Sequence, residues 1–330
     1  MFSDKFKLRL WSIIHPIRSL KALYFDHCVQ PSEKWIEIQK TNPKKAVDMK
    51  WNRFYRRYFP WDNPRTLGEK ATWLLVNTDT SMWTELSDKY EVRKYIERLG
   101  LKDILTECYG VWERAEDIDF DGLPEKFVLK CTHDCGSTVI VRDKSKMDKQ
   151  KIIDFLQKHL DVNYGYEWCE LHYSAIKPRV MAESLIEMGD EKEFSSEATV
   201  DHKIRCIDGK AQYDLVCYGR TLSSDGGNNK SVVDLYDIQD WKPMRQYLKY
   251  PSTEYRDLPK PENFNQMIAT AEKMSQGFPQ VRIDLYNIKG KIYFGEMTFY
   301  SASGMNNYLT LEFQRMIGDR IRLPKLSKVI

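Results

Sequence analysis

No stretch of the chain approaches the roughly 20 consecutive apolar residues that a membrane-spanning helix needs, which excludes such a helix from these residues. Long runs of one charge are missing too. Lys and Arg number 51 against 48 Asp and Glu, the signs are interspersed, and the net charge of +3 is too small to argue for nucleic acid. Cys28, Cys108, Cys131, Cys135, Cys169, Cys206 and Cys217 are odd in number, scattered, and follow no secretion signal. That excludes a disulfide framework and predicts reduced thiols in a cytosolic protein. Cys131 and Cys135 flank His133, but no second pair follows at zinc-like spacing, so structural zinc is not expected. A Walker A loop, GxxxxGK[ST], is also missing. What remains is an ordinary globular composition, 42% hydrophobic and 30% charged over 330 residues, enough for two or three subdomains.

The N-terminal segment stands apart. In "FKLRLWSIIHPIRSLKALYF", residues 6–25, Phe6, Leu10, Ile13, Ile14 and Ile17 recur at helical spacing among Lys7, Arg9, Arg18 and Lys21. This fits either an in-plane helix touching an anionic membrane or a helix docked on the body of the protein. His15-Pro16 breaks a signal-peptide core. Residues 31–64 are aromatic and basic, densest in "WNRFYRRYFPWDNP", a composition that can stack on bases but also forms satellite cores; no nucleic-acid partner is expected. From Leu67 the pattern is mostly helical, closed by Gly100.

Two places concentrate chemistry. "KFVLK", Lys126 to Lys130, reads as a strand, "CTHDCGST" as a loop containing Gly136, and "VIVRD" as the returning strand. A glycine there lets backbone N–H groups approach a phosphate, and a lysine at the strand end adds charge; a plain hairpin turn explains the pattern as well. The second place is "VRIDLYNIKGKIYFGEMTFYSASG", Val281 to Gly304. Alternation puts Arg282 and Asp284 on one face of a strand and Val281, Ile283 and Leu285 on the other. The turn at Lys289-Gly290 returns a second strand, which brings Glu296 near Asp284. Two adjacent carboxylates ask for a cation between them, and hard oxygen ligands few in number suit Mg²⁺. By itself the hairpin fits equally a solvated face with Arg282 and Asp284 as a surface pair.

The order of parts says more than any one part. "LSDKYEVRKYI", "IDFDGLPEKFVLKCTH", "AESLI" after a strand, a basic strand pair, "KPENFNQMIATAEKMSQGFPQVRIDLYNIKGKIYFGEMTF" and "IRLP" follow one another over roughly Leu67 to Pro324. This series resembles the ATP-grasp superfamily, and more closely its TupA-like branch, associated with teichuronopeptide and bacterial surface-polysaccharide biosynthesis. The resemblance implies an α+β fold in which ATP lies between two α+β subdomains with antiparallel sheets. A helical N-terminal extension (1–65) would precede an N-terminal helical part (66–125), a subdomain with phosphate loop and hinge (126–186), and a subdomain with metal and catalytic residues (187–330).

The same resemblance implies the roles of individual residues. Lys89 and Lys130 would hold the α- and β-phosphates, and His133, Gly136 and Ser137 lie in the loop over them. Glu183, Ser184 and Leu185 resemble the hinge that reads adenine, with Glu187 or Asp190 on the ribose. Lys203 would contact the γ-phosphate, Arg282 would stabilise charge in phosphoryl transfer, and Asp284 and Glu296 would bind Mg²⁺. The chain departs from the family at Thr298, where an asparagine is usual, at "HDCGS" in place of "HGSGG", and at Ser301 in place of proline. The implied activity is an ATP- and Mg²⁺-dependent carboxylate–amine ligase acting through an acyl phosphate. It would join an amine or amino acid to a glycan or glycolipid precursor bearing a carboxylate, in the cytoplasm or at the inner face of the membrane through residues 1–25. A glycosyltransferase, for which "DFDG" and "DLYD" offer weak DxD motifs, and a nucleotide-binding protein without turnover are the alternatives.

Overall fold

A computed structural model describes residues 16–26, 32–186, 200–222 and 228–325. Glu187, Asp190 and residues 1–15 of the N-terminal segment lie outside the described residues.

The described residues begin with α1 (Pro16–Tyr24), followed by α2 (Glu33–Thr41) and α3 (Pro43–Tyr55). The start of α3 is set by Asn42, whose side chain accepts a hydrogen bond from Lys45 N at 3.0 Å, with Pro43 at the first helical position. The aromatic-basic stretch that follows is a packed core. Trp51 and Phe59 are buried at 4.9 Å, and Trp61 lies 4.3 Å from Phe59. Helix α4 (Leu67–Asn77) begins with a reciprocal cap: Glu69 N donates to Thr66 Oγ1, while Glu69 Oε2 accepts from Thr66 N and Arg65 N. Two short helices, α5 (Ser81–Ser87) and α6 (Val92–Arg98), complete this region.

The first sheet is antiparallel, in the order β1-β4-β2-β3, built from β1 (Cys108–Trp112), β2 (Phe127–Cys131), β3 (Val139–Val141) and β4 (Val180–Ser184). Strand β1 falls inside the stretch 66–125 read from sequence as helical. Its pairing with β4 shifts register between Cys108 and Gly110, and that irregularity breaks the alternation by which a strand is recognised. Helix α7 (Lys149–Leu160) covers one face, where Ile152 and Leu156 join Phe127, Leu129 and Cys131 in one core. By alternation Lys130 belongs to the opposite face.

The second sheet runs β7-β6-β5-β8-β9: β5 (Asp201–Ile207), β6 (Lys210–Leu222), β7 (Asn228–Tyr236), β8 (Gln280–Ile288) and β9 (Lys291–Thr298). Ile204 and Cys206 of β5 and Val281, Ile283 and Leu285 of β8 are buried with Phe264, Met267 and Ala271 of α8 (Phe264–Met274). The β8–β9 turn has Lys289 at φ 50° and Gly290 at φ 79°, the two left-handed residues of a type I′ hairpin.

After β9 the chain makes a tight turn, Ser301–Gly304, then reaches α9 (Leu311–Arg320), which packs on α4. Ala302, Ser303 and Gly304 all have positive φ (48°, 51° and 77°). This costly conformation is pinned by close approach. A Cβ on Gly68 of α4 would lie 2.0 Å from Gly304 O, and one on Gly304 would lie 2.6 Å from Thr72 Oγ1.

Candidate functional site

The register of the second sheet places the charged side chains. Lys203 is opposite Asp284, and Asp284 is opposite Glu296 on the other side, so three adjacent strands present one cluster on the face away from α8. Arg282 engages Asp284 through both oxygens, Nε to Oδ1 at 2.6 Å and Nη2 to Oδ2 at 2.8 Å, and reaches Glu296 Oε1 at 2.7 Å. Lys203 Nζ lies 2.5 Å from Asp284 Oδ2 and 2.6 Å from Asp201 Oδ2. Thr298 Oγ1 donates to Glu296 Oε1 at 3.0 Å. Of the expected site residues, Lys203, Arg282, Asp284 and Glu296 therefore meet directly.

Electrostatics in this cluster follow from burial and from who faces whom. Burial pushes Asp284 towards the protonated form, opposed by Arg282 and Lys203. Burial acts the same way on Glu296, but Arg282, Lys203 and Lys89 outweigh it and hold its carboxyl well below the usual range. Burial would lower the proton affinity of Lys203, yet Asp201 and Asp284 raise it, so the ammonium stays charged.

The first sheet supplies the other expected residues. Lys130 pairs with Glu183 across β2 and β4, and Glu183 Oε2 accepts from Thr106 Oγ1 at 2.7 Å. Both Glu183 oxygens are thus engaged with side chains. Ser184 closes β4, its N donating to Glu107 O at 2.9 Å, with Leu185 next in the chain. Lys89 Nζ donates to the carbonyl of Asp134 in the loop between β2 and β3. In that loop Gly136 has φ 97° and open space where a Cβ would be. The side chains of His133 and Ser137 point inward: His133 Nε2 lies 3.2 Å from Val162 O, and Ser137 Oγ donates to Asp134 Oδ1 at 2.5 Å. Asp134 is buried, with its other oxygen 2.6 Å from His159 Nδ1 on α7. The acidic departure at this loop therefore faces inward, and what the loop offers outward is exposed Cys135 and the backbone at Gly136.

Residues unforeseen from sequence stand beside the cluster. Lys50 of α3 is fully buried and donates to Trp168 O at 2.9 Å, Tyr300 OH at 3.0 Å and Ser303 O at 2.9 Å. Ser303 Oγ in turn donates to Glu170 Oε1 at 2.6 Å. Burial raises the proton affinity of Glu170, opposed by Ser303 and Lys50 and reinforced by Glu296. Arg205 is buried as well, donating to Gln280 Oε1 and to Ser301 Oγ, each at 2.7 Å. A signal for Lys50 existed: Val47, Lys50, Trp51 and Phe54 share one helical face, so the lysine occupies an apolar position. "WCELHYSA" around Glu170 shows no such period.

The donor set fits Mg²⁺. Asp284 and Glu296 are adjacent carboxylates with a hydroxyl beside them, and among the described residues no three His, Cys, Asp or Glu side chains gather into a closed metal cage. Two protein carboxylates with the remaining positions left to phosphate oxygens and water is the pattern Mg²⁺ favours. Asp201, Asp284 and Glu296 against Lys203 and Arg282 leave one net negative charge, which favours a cation at this cluster.

No curated protein sequence matches. Among solved structures, the chain is similar to D-alanine–D-alanine ligase from Bacillus anthracis, at 14% identity over 76% of this chain and 64% of that one, with a TM-score of 0.41. It is also similar to an L-amino acid ligase from Bacillus licheniformis, at 16% identity over 82% and 58%, TM-score 0.45. The ATP-grasp ligase PsnB, solved with a phosphomimetic variant of its minimal precursor, Mg and ADP, matches at 10% identity over 91% and 76%, TM-score 0.40. The chain thus spans less than two thirds of the length of the first two ligases. The family model described as TupA-like ATPgrasp matches residues 69–322, most of the chain. By that match the chain belongs to the TupA-like ATP-grasp family.

Proposed function

We propose that the protein is an ATP- and Mg²⁺-dependent carboxylate–amine ligase that attaches an amino acid or amino-linked group to a carboxylate of a bacterial surface polysaccharide or its precursor. The observation that carries this reading is the cluster on β5, β8 and β9: two cations and two metal-type carboxylates on one face, with Lys89 close enough to lower the proton affinity of Glu296. Family membership supports the nucleotide and the ligase chemistry. The polysaccharide rests on the resemblance to the TupA-like branch.

In this reading Asp284 and Glu296 would hold Mg²⁺, which when bound neutralises phosphate charge and orients the γ-phosphoryl group. Lys130 and Lys89 would hold the α- and β-phosphates, with the backbone at Gly136 free to approach them. Lys203 and Arg282 stabilise negative charge as the substrate carboxylate oxygen bonds to the γ-phosphorus and ADP leaves. The acceptor nitrogen then bonds to the acyl carbon, phosphate leaves, and the amine proton is lost to solvent or phosphate. An amide, ADP and phosphate result.

The glycosyltransferase alternative finds little support in its two DxD candidates. Asp121 pairs with Lys149 on the surface, and Asp234 is buried against Arg245. The test is incubation with ATP, Mg²⁺, uronic-acid glycan fragments and a panel of amino acids, with ADP release and product mass followed together. A product weighing both substrates less one water supports the ligase. Glycosyl transfer from UDP-sugars without ATP consumption would overturn it.

A further inference from the structure

Helix α1 has two apolar faces, and the fold uses one. Ala22 and Phe25 point inward, each 1% exposed, with Phe25 edge-on to Trp35 at 4.9 Å. Ile17, Leu20, Leu23 and Tyr24 lie on the other side of the helix, with exposures of 70%, 65%, 52% and 49%. At 100° per residue these four span about a third of the circumference, and exposed Lys21 borders them. Tyr58, 47% exposed, extends the patch, with its hydroxyl 3.1 Å from Lys21 Nζ. Lys34 Nζ donates to Tyr24 OH on the same rim. The helix is therefore docked through one face and outwardly apolar through the other.

We infer that this outward face of α1 binds the surface of an anionic lipid bilayer. Charge decides for this occupant: residues 1–25 carry Lys5, Lys7, Arg9, Arg18 and Lys21 against Asp4 alone. An apolar stripe bordered by basic residues is what seats a helix in the plane of a negatively charged interface, the stripe reaching the acyl boundary and the lysines meeting headgroups. A second copy of the chain fits less well. A nine-residue helix is about 14 Å long, far from the roughly 800 Å² per partner of a stable protein interface. The placement also suits a lipid-linked acceptor, since α1 packs on α3 and α3 carries Lys50, which bonds to Ser303 beside the charged cluster. Binding to the bilayer itself does not depend on the ligase reading.

The experiment is co-sedimentation of the full chain with vesicles of phosphatidylglycerol and phosphatidylcholine in equal parts, against vesicles of phosphatidylcholine alone. The face predicts binding to the anionic vesicles that weakens as salt rises. Replacing Ile17, Leu20 and Leu23 together by Ser lowers partition by roughly tenfold or more, and Lys21→Glu lowers it several-fold. Circular dichroism and ATP binding of the variants stay as in the wild type, because none of these residues touches the charged cluster. Equal partition of wild type and triple variant, or no preference for phosphatidylglycerol, overturns the inference. So does a wild-type dimer that ignores vesicles and becomes monomeric in the triple variant, which would make the face an interface between copies.

Discussion

Lys50→Met removes a buried ammonium while keeping the length and most of the volume of the side chain. Trp168 O and Ser303 O lose their donor, whereas Tyr300 OH keeps its 2.9 Å contact with Thr72 Oγ1. A buried carbonyl left unpaired costs about 1–3 kcal/mol, so two cost about 2–6 kcal/mol. The variant also escapes the desolvation cost of the lysine, the same burial that lowers its proton affinity in the fold. The lower half of the range is therefore expected, about 3 kcal/mol of lost stability. Ser303 is released as well, and with it the left-handed turn and its bond to Glu170. Urea unfolding followed by tryptophan fluorescence measures the first effect, since Trp51 adjoins the site of change and Trp168 accepts one of the bonds. A shift under about 0.5 kcal/mol would refute the claim that Lys50 holds this turn.

Three further perturbations follow from the geometry. Gly68→Ala, which in an ordinary helix stabilises by about 1 kcal/mol, is expected to destabilise by several kcal/mol because the new Cβ meets Gly304 O at 2.0 Å; a raised melting temperature would contradict this. Glu69 is pulled below its ordinary value of 4.5 although burial alone would raise it, because the backbone N–H groups of Thr66 and Arg65 and the Arg57 guanidinium outweigh burial. Its contribution is therefore present above the unfolded value and lost as pH falls through the lower folded one. The stability gap between wild type and Glu69→Gln should be about 1 kcal/mol near neutrality and shrink progressively as pH falls below the ordinary value; a gap that widens in acid would show the sign to be wrong. Glu296→Gln removes one of two metal-type carboxylates, so ATP turnover should fall by at least about 100-fold with a smaller loss of nucleotide affinity. Wild-type turnover in steady-state ADP release would remove Glu296 from the metal site.

The sequence was most legible where local rules and packing agree. The Arg282–Glu296 hairpin combined alternation in β8 with a Lys-Gly turn whose left-handed geometry the structure shows, so the pairing of the two strands could be anticipated, whereas the register could not: a shift between Asp284 and Leu285 sets Glu296 opposite Asp284, where an unbroken ladder would set Gly295. Strand β1 was hidden because its register slips after Cys108. The inward turn of Asp134 could not be read locally, since its partner His159 lies 25 positions away on another element. The same holds for Glu170 and Ser303, and for Lys50, which crosses 253 positions to reach Ser303 O. Side chains meeting across such separations are fixed by the packing of α3 and α4 on the turn after β9, which no periodicity encodes. For the N-terminal helix, sequence offered docking or interfacial contact as alternatives, and α1 presents an apolar face to each side.

In the proposed ligase, ATP and Mg²⁺ lie between Lys130 on the first sheet and the Arg282, Asp284, Glu296 cluster on the second. Calorimetric titration of ATP with and without Mg²⁺, on the wild type and on Lys130→Ala, tests it most directly. Micromolar binding that requires Mg²⁺, little heat from Mg²⁺ alone, and at least a tenfold loss of affinity in the variant are expected. Absence of ATP binding in the folded wild type, or affinity for a UDP-sugar in its place, would contradict it.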